Sequence, residues 1–162
     1  MTTPRSKQWR DLLSLVSRSF YLSLRVLPAA IRPQIGLAYL LARTTDTIAD
    51  TALISIERRL DALRKMRAAI QAASEGSETQ LPDFGELAAA QDAPSVRGSA
   101  AERVLLLHAG EALDVLRSFA REDRQRTRDL LGIVSSGQEM DVTRFGLAGA
   151  NRIFALETDA EL

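Results

Sequence analysis

The fold is decided by one stretch, IGLAYLLARTTDTIAD at residues 35–50, in which an apolar run ends in two aspartates one helical turn apart. Because Pro33 suits the first turn of a helix, we expect a helix that begins there and ends just after the aspartates. This helix is apolar around most of its circumference, which predicts a position inside the protein with other helices around it. At about 100° per residue, Arg43, Asp46 and Asp50 project from one face, within roughly 60° of one another.

The two aspartates indicate a metal site. Like charges four residues apart on a helix repel each other, and burying them beside apolar neighbours is costly unless a positive group compensates them. A divalent cation would do so, and a ligand set of oxygens alone favours Mg²⁺, which takes one or two carboxylates and completes its coordination with water and substrate phosphate. Asp46 and Asp50 are therefore candidate metal ligands. The alternative is a solvated helix end that carries ordinary surface acids.

Composition narrows the class of protein. A chain of 162 residues has room for one domain with a substantial core. Apolar residues make up 46% and aromatic residues only 5%, with many Leu and Ala, which favours an all-α fold. The 21 basic and 21 acidic residues balance, so no general attraction to nucleic acid is expected. The chain has no cysteine and His108 is its only histidine, so disulfides are excluded and zinc is not expected.

The chain carries no sign of a membrane-spanning or secreted protein. Its longest apolar run, residues 35–42, is too short to span a bilayer. Arg5, Lys7, Arg10 and Asp11 precede any apolar run, which is not the order of a secretion signal. We therefore expect a cytoplasmic protein without a transmembrane segment and with at most peripheral contact with a membrane.

Apolar residues at three- and four-residue spacing predict a helical bundle that forms one domain over residues 1–162. Ser99 to Glu102 has the spacing of a capping box. Residues 74–98 are rich in Gly, Ser and Pro and predict an internal loop that holds one short helix over 86–91. The other predicted helices cover residues 4–16, 21–27, 33–51, 55–73, 99–119 and 121–144.

The last predicted helix carries two unusual residues. Leu130, Val134, Gly137 and Asp141 share one face, so a glycine and a carboxylate occupy a line that otherwise faces the core. Both are explained if the helix lines a cavity in which Asp141 points at a ligand. The alternative is a helix that bends or ends at residues 135–137 and leaves Asp141 in solvent.

Three segments carry a resemblance to a known family. SRSFY at residues 17–21, followed by ARTTDTIADT at 42–51, resembles the start of the squalene and phytoene synthases, and SGQEMDVTRF at 136–145 is similar to a later segment of that family. These enzymes are head-to-head prenyl transferases with the all-α isoprenoid synthase fold. With YLLAR at 39–43, the chain looks closer to bacterial squalene synthases than to phytoene synthases.

The resemblance implies a role for each of eight residues. Asp46 and Asp50 would hold Mg²⁺ on a substrate diphosphate, and Arg43 would contact diphosphate oxygens. The other five would bind substrate: Ser17 and Arg18 at the diphosphate, Phe20 in the wall near the reacting carbons, and Gln138 and Asp141 on the opposite side of the cavity.

Simpler roles also fit four of these residues. Ser17 suits a helix cap, and Arg18 suits a surface position. Phe20 suits plain core packing, while Arg43 suits an ion pair with one of the aspartates.

In the family, two farnesyl diphosphates join head to head through presqualene diphosphate, and squalene formation ends with hydride delivery from NADPH. The resemblance thus implies a Mg²⁺-dependent farnesyl-diphosphate farnesyltransferase of the squalene synthase type, with a prenyl diphosphate as substrate. The near alternative is a phytoene or dehydrosqualene synthase. From another class, the alternative is a non-catalytic helical assembly or interaction protein related to the family.

The resemblance covers roughly the amino-terminal half of such an enzyme. The family's second aspartate-rich motif, and the tyrosine-bearing helix before it, should follow the position where this chain ends. We therefore expect an incomplete bundle that is truncated and inactive alone, because one carboxylate pair does not assemble the multi-metal cluster that activates both diphosphates.

Overall fold

The computed structural model of the chain describes residues 11–77, 80–91 and 100–145. Within these residues it consists of eight helices and contains no strand, so the predicted all-α class is confirmed. The helices are α1 (11–16), α2 (Arg18–Val26), α3 (Arg32–Asp50), α4 (Ile56–Glu75), α5 (Gly85–Ala90), α6 (Ala100–Leu107), α7 (Ala109–Arg117) and α8 (Arg121–Phe145).

Helix α3 lies at the centre of the bundle, as its sequence predicts. It contacts α2, α4, α6, α7 and α8. Its side chains Leu40, Leu41 and Ile48 are at most 1% exposed. One hydrophobic cluster joins the inner faces of α3, α4, α7 and α8, and a smaller one joins α1, α2 and α3. Burial of this apolar surface is the main favourable contribution to folding.

The polar residues of α3 that face its neighbours are threonines. The hydroxyls of Thr44, Thr45 and Thr47 each donate a hydrogen bond of 2.8–2.9 Å to a carbonyl oxygen three or four residues earlier in the helix. A buried hydroxyl without a partner costs free energy, and these bonds to the helix's own backbone satisfy it locally. The turns that precede the aspartates can therefore be polar in sequence and closely packed in the structure.

Two helix boundaries differ from the prediction. Helix α2 begins at Arg18 rather than at residue 21, because the Ser17 hydroxyl accepts a hydrogen bond of 3.3 Å from the Phe20 amide and caps it. The predicted helix over 99–119 is divided at His108, which is the N-cap of α7 and whose Nδ1 lies 3.0 Å from Glu111 Oε1. The periodicity of the apolar residues continues across this break, so the sequence pattern does not indicate that the helix is divided.

The loop after α4 follows the prediction in outline. Helix α4 extends two residues further than predicted, to Glu75. Gly76 caps it, and the φ of 82° at this glycine lies in the left-handed region. The predicted short helix is α5. Residues 78–79 and 92–99 of this loop, and the predicted helical residues 4–10, lie outside the described part.

The predicted core-facing line of α8 is wrong. Leu130 is 51% exposed and Asp141 is exposed, and the buried residues of the helix are Thr127, Leu131, Ser135 and Val142. Leu130 and Leu131 are adjacent, so either of two helix faces about 100° apart could be the buried one. Packing against α3 and α4 buries the face that carries Leu131. The helix does not end at 135–137, and its far end leaves Asp141 in solvent, as the alternative interpretation had it.

No helix in the three described ranges combines the length and the apolar character needed to cross a bilayer.

Two glycine-to-alanine substitutions should change stability in opposite directions. Gly76→Ala should lower the free energy of unfolding by about 1 kcal/mol, because alanine is strained at positive φ. Gly137→Ala should raise it by a similar amount, about 1 kcal/mol, because a Cβ there meets nothing within 4 Å and alanine favours a helix interior. Urea unfolding with unchanged m-values would measure both effects. A destabilising Gly137→Ala would show that this glycine has a packing role.

Candidate functional site

The Arg43 guanidinium lies between two carboxylates. Its Nη1 is 2.6 Å from Asp46 Oδ2, one turn further along α3, and its Nη2 donates to Glu102 Oε1 on α6. The Glu102 side chain is 16% exposed, against 34% for Arg43 and 41% for Asp46. Of the simpler roles that the sequence allowed, an ion pair of Arg43 with one of the aspartates is therefore observed.

The two carboxylates favour the charged form of Arg43. Burial by itself lowers the pKa of Arg43, but the negative charges of Glu102 and Asp46 outweigh it and raise the pKa above its ordinary value. The guanidinium thus supplies one fixed positive charge between the carboxylates of Asp46 and Glu102.

Asp50 lies one turn beyond Asp46 and is exposed. Partial burial of its carboxyl group raises the pKa of Asp50, and the charge of Asp46 raises it further, while Arg43 and Arg59 partly offset the shift. Among the residues that the structure describes, Asp50 has no ion-pair partner. This end of α3 therefore carries a carboxylate whose charge is incompletely compensated.

The last turn of α3 is held by two neighbouring elements. Arg59 of α4 is 7% exposed and donates from Nη1 to the Ala49 carbonyl oxygen at 2.8 Å. Gln91, just after α5, donates from Nε2 to Thr51 Oγ1 at 2.8 Å. The first bond satisfies a carbonyl oxygen in the last turn, for which the helix itself supplies no amide donor. The second reaches a hydroxyl that also donates to the Thr47 carbonyl oxygen at 2.6 Å, and together the two bonds position the backbone that carries Asp50.

Phe20 and Tyr39 form an aromatic stack beside the charged group. Their ring centroids are 3.8 Å apart and their planes differ by 15°. Both pack against the smaller hydrophobic cluster. Tyr39 precedes Arg43 by four residues, so both project from the same side of α3. The side chain of Arg18 lies outside the described part of the chain, and Ser17 caps α2 as described above.

The two α8 residues in the predicted site are not joined to the α3 residues. Gln138 is partly buried, and its Oε1 has no hydrogen-bond partner among the described residues. Asp141 is exposed. Within those residues, no hydrogen bond or ion pair connects either of them to Asp46 or Asp50. Their position on an opposite cavity wall stays a prediction.

A groove of about 850 Å³ lies between α4 and α8. It contains none of the eight residues that the resemblance singled out. Its lining consists of Arg67, Ile70, Gln71, Arg128, Asp129, Leu131, Gly132, Ile133, Ser135, Ser136, Gly137 and Met140.

A magnesium ion fits the donor set at the end of α3. In the described ranges no three acidic or histidine side chains are grouped so that they could hold a metal by themselves. Mg²⁺ needs only one or two carboxylates when water and substrate phosphate complete its coordination. Asp46 and Asp50 supply such a pair. Partial burial of the Asp50 carboxyl group, followed by the charge of Asp46, raises the pKa of Asp50, and a bound cation would favour its charged form again.

Sequence reasoning missed two residues of this site. Glu102 was interpreted as part of a capping box, and its contact with Arg43 spans 59 residues of sequence, so no local pattern indicates it. Arg59 carried a usable signal: it continues the apolar spacing of α4 between Ile56 and Leu63, and a charged residue on a buried stripe needs a partner.

Comparison with known proteins gives one match. A model of the squalene/phytoene synthase family matches residues 13–162, which include every residue of the predicted site. No curated protein and no solved structure matches the chain.

Asp50→Asn should stabilise the metal-free protein at neutral pH. A carboxyl group whose pKa is raised on folding destabilises the folded state at pH values above that pKa, and asparagine carries no charge. The variant should melt at a higher temperature than the wild type at pH 7.5 in EDTA, and the difference should disappear below about pH 4.

The matched control is Asp61→Asn, which changes an exposed aspartate of α4 that pairs with Lys65 at 2.7 Å. It should produce no gain in melting temperature. A loss of stability in Asp50→Asn at pH 7.5 would contradict the repulsion inferred at the end of α3.

Proposed function

The chain belongs to the squalene/phytoene synthase family, and on that premise we propose that it condenses two farnesyl diphosphates head to head, through presqualene diphosphate, to squalene. Membership gives the coarser statement directly: the family is one of prenyl transferases of isoprenoid biosynthesis that act on prenyl diphosphates. The preference for squalene rests on the resemblance of residues 17–51 to bacterial squalene synthases.

The observation that carries the proposal is the line of residues along α3. Tyr39, Arg43, Asp46 and Asp50 follow one another at four-, three- and four-residue spacing, so they lie on one side of the helix. An aromatic stack stands at one end of this line and an incompletely compensated carboxylate at the other. A prenyl diphosphate has the same order of parts, with an apolar chain at one end and a highly charged group at the other.

In this arrangement Asp46 and Asp50 would hold Mg²⁺ against the substrate diphosphate. When bound, the ion would stabilise the negative charge that develops on the leaving diphosphate. Arg43 would donate hydrogen bonds to diphosphate oxygens, for which its planar guanidinium is suited, and Ser17 and Arg18 would contribute from the start of α2. Gln138 and Asp141 would face this group across the cavity.

The aromatic stack would act on the other part of the substrate. Breaking the carbon–oxygen bond of an allylic diphosphate leaves a carbocation, which must meet an alkene before it meets water. The ring faces of Phe20 and Tyr39 attract a cation, and their apolar neighbours exclude water. NADPH enters through the resemblance alone, so we assign it no residue. Cytoplasmic location and peripheral contact with a membrane likewise stay predictions.

Two other functions remain to be distinguished. A phytoene or dehydrosqualene synthase would use the same site on α3 and differ in chain length or in the final reduction. A non-catalytic interaction protein of the family agrees with the lack of a third grouped acid in the described part of the chain. It gives no reason, however, for Asp46, Asp50 and Arg43 to lie together.

Loss of either aspartate should abolish metal-dependent substrate binding. We expect a thio-analogue of farnesyl diphosphate to bind the wild-type chain in Mg²⁺ and to bind at least about tenfold more weakly in Asp46→Asn and Asp50→Asn. Calorimetric titration with and without EDTA measures this, with Asp61→Asn as the control. Wild-type affinity in both variants would refute the metal assignment.

Product analysis tests the chemistry. Farnesyl or geranylgeranyl diphosphate is supplied with Mg²⁺, with and without NADPH, to the chain and to the longest form that its reading frame encodes. Squalene formed from farnesyl diphosphate only when NADPH is present supports the proposal. A product that contains two geranylgeranyl units, or dehydrosqualene formed in the presence of NADPH, would instead support a phytoene or dehydrosqualene synthase. Metal-independent binding without product would favour the interaction protein.

A further inference from the structure

We propose that Glu102 is a positioning residue, which holds Arg43 in place while Asp46 exchanges the arginine for the metal ion. The proposal rests on the function proposed above, because it concerns the same metal and diphosphate. It adds a residue from a different helix, α6, which the resemblance does not assign to the site.

The geometry of Arg43 divides its contacts between two nitrogens. Nη1 faces Asp46 and Nη2 faces Glu102, so the guanidinium can release one carboxylate without releasing the other. The contact with Glu102 is also the more shielded from solvent, since its side chain is 16% exposed and that of Asp46 is 41% exposed. Shielded ion pairs are weakened less by water and salt.

The contact with Asp46 conflicts with the proposed function. In the structure Arg43 provides the positive charge beside Asp46, and Asp46 Oδ2 already accepts its hydrogen bond. For Asp46 to give that oxygen to a cation, Arg43 must move Nη1 away, and a diphosphate oxygen is the partner that would receive it. Arg43 therefore compensates Asp46 before the ion arrives.

Glu102 lowers the free-energy cost of replacing Arg43 by a metal ion at Asp46. With Glu102 ionised, Arg43 keeps a charged partner after it leaves Asp46. When glutamine replaces Glu102, Asp46 is the one carboxylate left among the described contacts of Arg43. Arg43 then binds Asp46 more tightly, and the metal ion must compete with this stronger ion pair. Glu102 should thus raise the affinity of the free protein for a divalent cation by acting through Arg43.

A double-mutant cycle on metal affinity tests this in the full chain without substrate. Mn²⁺ serves as the probe because it takes the same oxygen ligands as Mg²⁺, and its free concentration is measured by electron paramagnetic resonance. Glu102→Gln should raise the Kd for Mn²⁺ by about tenfold, and Arg43→Gln should lower it. In the Arg43→Gln background, Glu102→Gln should raise it by no more than about threefold, because only its general charge effect remains.

Two further variants keep the test specific. Glu102→Asp retains the charge but is one methylene shorter, so it should also raise the Kd if position matters, and it replaces Glu102→Gln should that variant not fold. Glu86→Gln removes a carboxylate from another ion pair between an arginine and a glutamate of different helices, that of Arg58 with Glu86, and should leave the Kd unchanged. Circular dichroism of each variant reports its folding.

The outcomes separate the two proposals. Equal effects of Glu102→Gln with and without Arg43, or wild-type affinity in both Glu102 variants, would overturn the role of Glu102 and leave the metal site intact. Unchanged Mn²⁺ affinity in Asp46→Asn and Asp50→Asn would instead overturn the metal site, and the role of Glu102 with it.

Discussion

Burial of α3 among five other helices is the constraint on which the rest of the structure depends. A helix in that position must satisfy every polar group it carries, either within itself or through a neighbour. Its threonines do so within the helix, Arg43 does so through Asp46 and through Glu102 of α6, and the Ala49 carbonyl oxygen does so through Arg59 of α4. The site is therefore assembled by the same contacts that pack the bundle.

The negative charges at the end of α3 are incompletely compensated, and the proposed function depends on this property. Arg43 is held by two carboxylates, while Asp50 has a raised pKa and no ion-pair partner within the described ranges. A protein selected for stability alone would gain by replacing Asp50 with a neutral residue. Ionisable groups with perturbed pKa values cluster at functional sites, and this supports the metal site proposed above.

Prediction from sequence succeeded where the signal was local. The all-α class follows from composition, and the central position of α3 follows from its apolar circumference. The shared face of Arg43, Asp46 and Asp50 follows from spacing of three and four residues, and the loop with its short helix follows from the Gly, Ser and Pro residues around it. It failed where two registers were equally apolar, as at residues 130 and 131 of α8, and where a helix breaks without a change in periodicity, as at His108. In both cases packing between helices decides which residues are buried or where a helix ends, and the periodicity of the sequence does not indicate the result.

The sequence by itself indicated the family and the class of fold, and it determined that Arg43, Asp46 and Asp50 share one face of a helix, because helix geometry converts spacing into direction. Only the tertiary structure decided which carboxylates Arg43 contacts, that Arg59 holds the last turn of α3, and that Gln138 and Asp141 have no contact with the aspartates among the described residues. These facts depend on which helices become neighbours. Hydrogen bonds and ion pairs form only between atoms a few ångströms apart, so they are set by distances in space that separation along the chain does not predict.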